Sequence, residues 1–389
     1  MKKYIILAML AALFLAGCGK SESSERSAEK KKDEINVIKN SSTPSDPDLQ
    51  VIPEILFTIR PESEEGTENF ERLQHVSVAA DGSFFVIDQG SYTIKKFSKE
   101  GRLLESFGGQ GNGPGEFTML NTGMAVLNDN IFVPDPATMS VQVFGLNGDF
   151  IRKINMTEKG SSMIVMPEAF SDENILALNT SVAQREGKIF LKTRLSVFDR
   201  DLDPKADLWE SEEEFDPQDI ARMMSMGNDY PAFTASGTKI YVSEPGVDRY
   251  QITEYDVTGK ILSKIKMPYR KVRYTQDEKD QITKTTKSYV DASAKEFMDN
   301  YSFDEKFKKA VVQMYCDHKK RLWVERAYES TEGQNFRKID VFKNGIYQNT
   351  FDLKDSAGKE IKGSIKLSGG RLFALDFENN ELSVYQLTL

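Results

Sequence analysis

Residues 75–117 read HVSVAADGSFFVIDQGSYTIKKFSKEGRLLESFGGQGNGPGEF, and their rhythm decides the fold. Four short apolar runs, at 76–79, 84–87, 93–97 and 103–107, are separated by Asp81-Gly82, Gln89-Gly90-Ser91 and Glu100-Gly101. Those turn residues supply the positive φ of tight hairpins, so the runs predict four consecutive antiparallel strands. A glycine-rich connector follows the fourth run. Four strands and a connector make one blade of a β-propeller.

The unit recurs along the chain. Third strands end on an aromatic residue at Phe97, Phe144, Phe198, Tyr255, Phe342 and Tyr385, most of them followed by a turn such as Leu146-Asn147-Gly148 or Lys343-Asn344-Gly345. Second strands recur in step, as FVID at 85–88, FVPD at 132–135, LALN at 176–179, YVSE at 241–244, WVER at 323–326 and FALD at 373–376. Six copies, at periods of roughly 40 to 50 residues, predict an all-β, six-bladed propeller over 51–389. The last copy has only three strands, whereas ILFTI at 55–59 is a surplus strand ahead of the first copy. This N-terminal strand is expected to close the last blade, which removes edges that would otherwise pair with other chains.

Between blades four and five the period lengthens. Residues 269–309 predict a helical insertion: Thr275-Gln276-Asp277-Glu278 has the spacing of a capping box, and Tyr289, Phe297, Met298, Tyr301 and Phe307 are distributed among Lys and Glu. Such an insertion is either a lid or docking arm at the channel mouth or a helix packed on the side of the ring. The polar stretch 209–229, with Asp216-Pro217 as a start signal, predicts a second, smaller helical excursion.

The chain opens with Met1-Lys2-Lys3, an apolar run over 4–14 and Leu15-Ala16-Gly17-Cys18, the three-part layout of a secretion signal spanning 1–17. The apolar run is too short to remain as a membrane span. Leu-Ala-Gly-Cys resembles the lipobox of bacterial lipoproteins, which implies lipidation of Cys18 and a lipid-anchored address in the cell envelope, with the outer membrane expected. Residues 18–50 carry Lys30-Lys31-Lys32 and Ser41-Ser42-Thr43-Pro44 with few apolar residues, and are expected to form a flexible stalk. Loss of Lys2 and Lys3 takes the formal charge from −9 to −11, and an acidic surface argues against a nucleic-acid partner. With Cys316 the sole cysteine besides Cys18, no intrachain disulfide forms once Cys18 is lipidated.

The connector Phe107-Gly108-Gly109-Gln110-Gly111-Asn112-Gly113-Pro114-Gly115-Glu116-Phe117 is similar to that of NHL-repeat proteins. With the lipobox and the helical insertion, residues 52–389 resemble the six-bladed, TolB-like propeller lipoproteins of Gram-negative bacteria. The resemblance implies a fold and an address rather than one activity, because propellers host binding modules, lactonases, lyases and sensors alike.

Propeller geometry gathers the ends of the second strands on one face. Asp88, Asp135, Asn179, Glu244, Arg326 and Asp376 are therefore expected around the channel mouth, with Arg249 nearby. Such a ring either binds a ligand or caps turns by accepting backbone N–H bonds. Ca²⁺ is the cofactor its carboxylates could hold, and the two arginines suit an anionic or sugar-like ligand. His75 and His318 are the only histidines, too few for a histidine-based transition-metal site, and each is expected at a turn or strand end. Cys316 is expected to be an inert buried thiol on the inner strand of blade five. No Gly-x-Ser-x-Gly elbow or Gly-x-x-x-x-Gly-Lys loop is present. The reading is a binding or protein-interaction module for a carbohydrate, peptide or envelope protein; the alternative is a Ca²⁺-dependent lactonase or lyase acting on a sugar-derived substrate.

Overall fold

Two strands, β1 (Asn36–Lys39) and β2 (Ile52–Ile59), precede the six repeats. The computed structural model describes residues 35–62, 70–216, 219, 222, 225–288, 301–329 and 336–388. The signal segment, Cys18 and the stalk through residue 34 lie outside the described residues, as do Tyr289, Phe297 and Met298 of the insertion.

Each repeat forms an antiparallel sheet whose first strand is innermost. Blade one is β3 (Leu73–Val78), β4 (Phe84–Asp88), β5 (Thr93–Phe97) and β6 (Leu103–Gly108), and blade two is β7 (Ala125–Leu127), β8 (Asn130–Asp135), β9 (Ser140–Gly145) and β10 (Phe150–Asn155). Blade three is β11 (Met163–Phe170), β12 (Asn174–Arg185), β13 (Lys188–Phe198) and β14 (Pro204–Glu214). Blade four is β15 (Ala232–Ser236), β16 (Lys239–Ser243), β17 (Tyr250–Asp256) and β18 (Ile261–Met267). Blade five is β19 (Val311–Cys316), β20 (Leu322–Arg326), β21 (Lys338–Lys343) and β22 (Ile346–Asp352). Blade six has β23 (Ser364–Ser368), β24 (Arg371–Asp376) and β25 (Glu381–Thr388), and takes β2 as its outer strand.

The closing pair runs antiparallel from Ile52 opposite Thr388 to Ile59 opposite Leu382, with Thr58 Oγ1 and Ser383 Oγ 2.8 Å apart. At the seam between blades six and one, Phe84 stacks on Phe97 at 5.3 Å and meets Phe373 edge-on at 5.4 Å. All three rings are buried, and deleting one to Ala costs about 3–5 kcal/mol in such a setting. The middle strands read as continuous apolar runs because neighbouring blades cover both their faces, so that every residue of β4 is buried.

The connector after β6 folds back on itself: Phe117 N donates to Gly109 O, Gly111 N donates to Phe117 O, and the Glu116 carboxylate accepts from Gly113 N. A Cβ on Gly108 (φ +98°) would lie 3.0 Å from the buried Phe117 ring, so the glycine is required by close approach as well as by φ. The segment is thus a fixed, structural link between blades.

The helix α1 (Gln276–Ser288) lies between blades four and five, which become five and six if the blade closed by β2 is counted first. Its capping box forms: Thr275 N donates to Glu278 Oε2 at 2.9 Å, and Glu278 N donates to Thr275 Oγ1 at 3.2 Å.

Two expectations need correction. The stalk does not extend to residue 50, because β1 adds to β18 as a parallel fifth strand of blade four, and Asn40, Ser45 and Asp46 hydrogen-bond along β22. Ile-Asn-Val-Ile at 35–38 is a β-prone run in a polar stretch, and it finds an open sheet edge. The 209–229 excursion is helical only in its second half: residues through Glu214 belong to β14, whereas beyond the Asp216 start Arg222 and Ser225 are helical and Met226–Asp229 form a 3-10 turn. Its acids answer the basic residues of blade three, Glu210 to Lys192, Glu212 to Arg185 and Glu214 to Lys188, each at 2.7 Å. Exposed pairs are worth at most about 1 kcal/mol each, but here they favour one strand pairing.

A chain starting at Asn40 lacks only β1 and is expected to retain one cooperative thermal transition by circular dichroism. A chain starting at Arg60 lacks β2, leaves the edge of β25 bare, and is expected to lose that transition and aggregate.

Candidate binding site in the axial channel

The six inner strands β3, β7, β11, β15, β19 and β23 surround the propeller axis. A cavity of about 1090 Å³ occupies this axis and extends toward the face where the inner strands begin. Its walls are largely apolar, with Met163, Val165, Phe233 and Met314 from inner strands. Val182 and Leu191 come from the long β12–β13 hairpin, which rises beside the mouth as a wall. None of the turns joining inner to second strands contributes to the lining, so the cavity belongs to one face of the ring.

A few polar groups converge inside. Glu168 of β11 accepts a hydrogen bond from Thr234 Oγ1 of β15 at 3.1 Å, and its Oε1 lies 3.5 Å from Lys366 Nζ of β23. The contact crosses the channel, and both side chains are partly exposed to it. Cys316 lines the same space on β19, as expected for the inner strand of blade five. Burial, with Glu168 and Asp317 nearby, pushes its thiol well above the usual range, the reverse of what an activated nucleophile needs. His75 Nε2 is 3.1 Å from Met124 O, and burial together with Lys366 lowers its pKa to about 4. His75 is therefore neutral at pH 7, on the inner strand of blade one. Glu168 and Lys366 escape a search for motifs. They are legible only as charges on strands whose alternate residues must face the channel.

The strand-end residues do not line the axial cavity, and most are committed to bonds nearby. Asp88 is fully buried, and accepts from Glu71 N at 3.0 Å and Arg72 N at 2.8 Å while pairing with Lys95 at 3.0 Å. Burial would raise its pKa, but these bonds and one from Ser91 Oγ more than offset that and hold it below the usual carboxylate range. Asp135 repeats the device in blade two, accepting from Thr118 N at 2.9 Å and Met119 N at 3.1 Å. Both acids staple the incoming connection of their blade, with donors 16 and 17 residues upstream. Asn179 is buried and accepts from Ser161 Oγ at 3.2 Å. Asp376 accepts from Glu378 N at 3.0 Å and Asn379 N at 3.1 Å, the hydrogen bonds of a turn. Glu244 is exposed, Arg249 is exposed and 3.8 Å from its neighbour Asp248, and Arg326 pairs with Asp340 at 3.2 Å toward the rim. None of the six residues Asp88, Asp135, Glu244, Arg249, Arg326 and Asp376 lines the axial cavity. Among the described residues no three His, Cys, Asp or Glu side chains converge in a set able to hold a metal ion, so the strand-end acids present no Ca²⁺ ligand cluster.

The insertion lies beside the mouth. Gln281 Nε2 donates to Glu378 Oε1 at 3.3 Å, Phe303 N donates to Thr283 Oγ1 at 2.9 Å, and Lys308 Nζ bridges the Glu278 carboxylate and Tyr328 O. The described part of the insertion thus rests on loops of blades five and six, and contributes nothing to the cavity lining.

The depressed pKa of His75 has a consequence for stability. Below pH 6.5 the unfolded chain takes up a proton that the folded chain refuses until about pH 4. Stability should therefore fall across that window and flatten below it. The ring is partly open to the cavity, which limits the loss to on the order of 2 kcal/mol. Urea unfolding at pH 7 and pH 4.5 measures the drop, and His75→Gln is expected to remove its His75 component.

No protein-family model matches this chain, and no curated protein does. Among solved structures, an exported protein of Bacteroides fragilis is similar at 13% identity and a TM-score of 0.51, covering 91% of this chain and 99% of that one. A member of the DUF4221 family from Bacteroides vulgatus matches at 11% identity and a TM-score of 0.46, over 87% and 98% of the two chains. Virginiamycin B lyase from Staphylococcus aureus matches at 10% identity and a TM-score of 0.42, over 87% and 100%. Of these, only the first likeness bears on this chain, and at 13% identity it speaks to the fold alone.

Proposed function

We propose that this chain is a lipid-anchored envelope protein of the NHL and TolB-like kind that binds a small ligand in its axial channel. The observation that carries the reading is the cavity of about 1090 Å³, apolar on its walls and crossed by the Glu168–Lys366 pair. Binding sites are typically concave, mostly apolar and equipped with a few placed polar groups, at volumes of roughly 300–1,000 Å³. The chemistry favours a ligand with an apolar body and a charged or strongly polar end, such as a short apolar peptide or an amphiphile. A carboxylate on such a ligand meets Lys366, and an ammonium meets Glu168. The neutral His75 and the suppressed Cys316 thiol favour binding over bond-making.

The anchor fits the same picture. β1 runs parallel to β18 and so enters from the face opposite the cavity mouth, on the side where residue 35 lies. Labelling with palmitate in a bacterial host, and its loss in Cys18→Ser, tests the anchor.

Anilinonaphthalene sulfonate, which joins an apolar ring system to one negative charge, serves as a channel probe. Saturable fluorescence enhancement is expected with the native protein. Lys366→Met should weaken it about tenfold, as befits one charge-assisted contact, and Leu191→Arg should weaken it further at little cost in thermal stability. Enhancement that neither substitution alters would place the probe elsewhere.

A further inference from the structure

A second concavity of about 470 Å³ lies away from the axis, in the crevice between blades four and five. Tyr250 of β17, Arg326 of β20, Asp340 of β21, Tyr347 and Thr350 of β22, and Tyr269 of the segment entering the insertion line it. The carboxylate of Asp340 is divided in its use. Its Oδ1 accepts from Arg326 Nε at 3.2 Å and from Thr350 Oγ1 at 2.5 Å, whereas its Oδ2 is buried without a hydrogen-bond partner. Tyr250 Oη, in a residue 3% exposed, is also buried and unpartnered, as is Tyr269 Oη. Asp340 itself is 1% exposed.

Native proteins leave few buried polar atoms unpaired, because each such atom forfeits its bonds to water without replacement. Three of them border this one crevice. Asp340, through its charge and its pull on the phenolic hydrogen, adds to the upward push that burial gives the Tyr250 phenol, yet neither Tyr250 Oη nor Asp340 Oδ2 has a partner at full hydrogen-bond distance and angle. The arrangement presents one free acceptor and two phenolic hydroxyls that donate or accept. The rings of Tyr250 and Tyr269 stand edge to face at 6.3 Å and give the crevice a flat apolar wall.

We propose that this crevice is a second binding site, distinct from the axial channel, for a neutral polyhydroxylated ligand of the size of a sugar residue. A ligand hydroxyl donates to Asp340 Oδ2 and accepts from Tyr250 Oη, satisfying both atoms at once, while its C–H face rests on a tyrosine ring. Arg326 already balances the charge of Asp340, so neither an anion nor a cation finds a free counter-charge between them. The segment that joins blade four to the insertion then has a role the axial channel does not give it, as one wall of this site through Tyr269.

Calorimetry and saturation-transfer NMR on the full chain, with glucose, galactose, mannose and N-acetylglucosamine as probes, test the site. Saturable binding of at least one sugar is expected, weakened about tenfold by Tyr250→Phe and by Asp340→Asn. Melting without sugar supplies a second readout. Because the Tyr250 hydroxyl has no partner to lose, Tyr250→Phe should leave Tm unchanged or raise it. Absence of sugar binding, or binding that Tyr250→Phe leaves intact, overturns the proposal. So does a marked fall in the Tm of Tyr250→Phe, since the hydroxyl would then be satisfied by Asp340 in the free protein. Titrating the axial probe anilinonaphthalene sulfonate in parallel separates failure of this site from failure of the channel.

Discussion

The pairing of β2 with β25 is the constraint on which the structure depends. A propeller blade is buried on both faces only if it has a neighbour on each side, and six blades provide that only when the first and last are joined. Here the joint is a single antiparallel pair, Ile52–Ile59 against Leu382–Thr388, formed by residues more than three hundred positions apart. It fixes the spacing of all six inner strands, and with it the width of the axial cavity. It also brings Phe373 onto Phe84, so that the seam is filled by the same kind of aromatic contact found within blades. β1 and residues 40–49 extend this logic outward, running over the edges of blades four and five before the chain reaches β2. The segment before the propeller is thus part of its rim.

Closure divides the polar residues by task. Asp88 and Asp135 hold connections between blades, and their oxygens are committed to backbone N–H groups. Glu168, Lys366 and Thr234 face the axis, where the structure has room for a ligand. Asp340 and Tyr250 belong to neither group: they are buried, polar and incompletely bonded, at a junction that the insertion segment helps to build.

Much of the fold was legible because its signals are local. Turn residues every few positions, aromatic residues ending the third strands, and a surplus strand matching a missing one all lie within short windows of sequence. Thr275 and Glu278 could be read as a capping box because their bonds span three residues. The site was less legible, since its contacts are long-range. Nothing beside Asp88 in the chain shows that its donors are the N–H groups of residues 71 and 72, so an acid at a strand end could equally have faced a channel. Glu210, Glu212 and Glu214 suggest a helix or loop until Arg185, Lys188 and Lys192 are placed opposite them. Asn36–Lys39 looks like stalk until it meets β18. Glu168 and Lys366 come together only through the curvature of the ring.

The assignment of the ligand site to the axis is open to direct observation. Crystals soaked in para-bromobenzoate, which carries an apolar ring, a carboxylate and an anomalous scatterer, would report where such a ligand rests. Bromine density among Met163, Val165, Leu191 and Met314, with the carboxylate toward Lys366, is the expected result. Bromine found only beside Asp376 and Arg249 on the outer loops, with the axis empty of ligand, would contradict it.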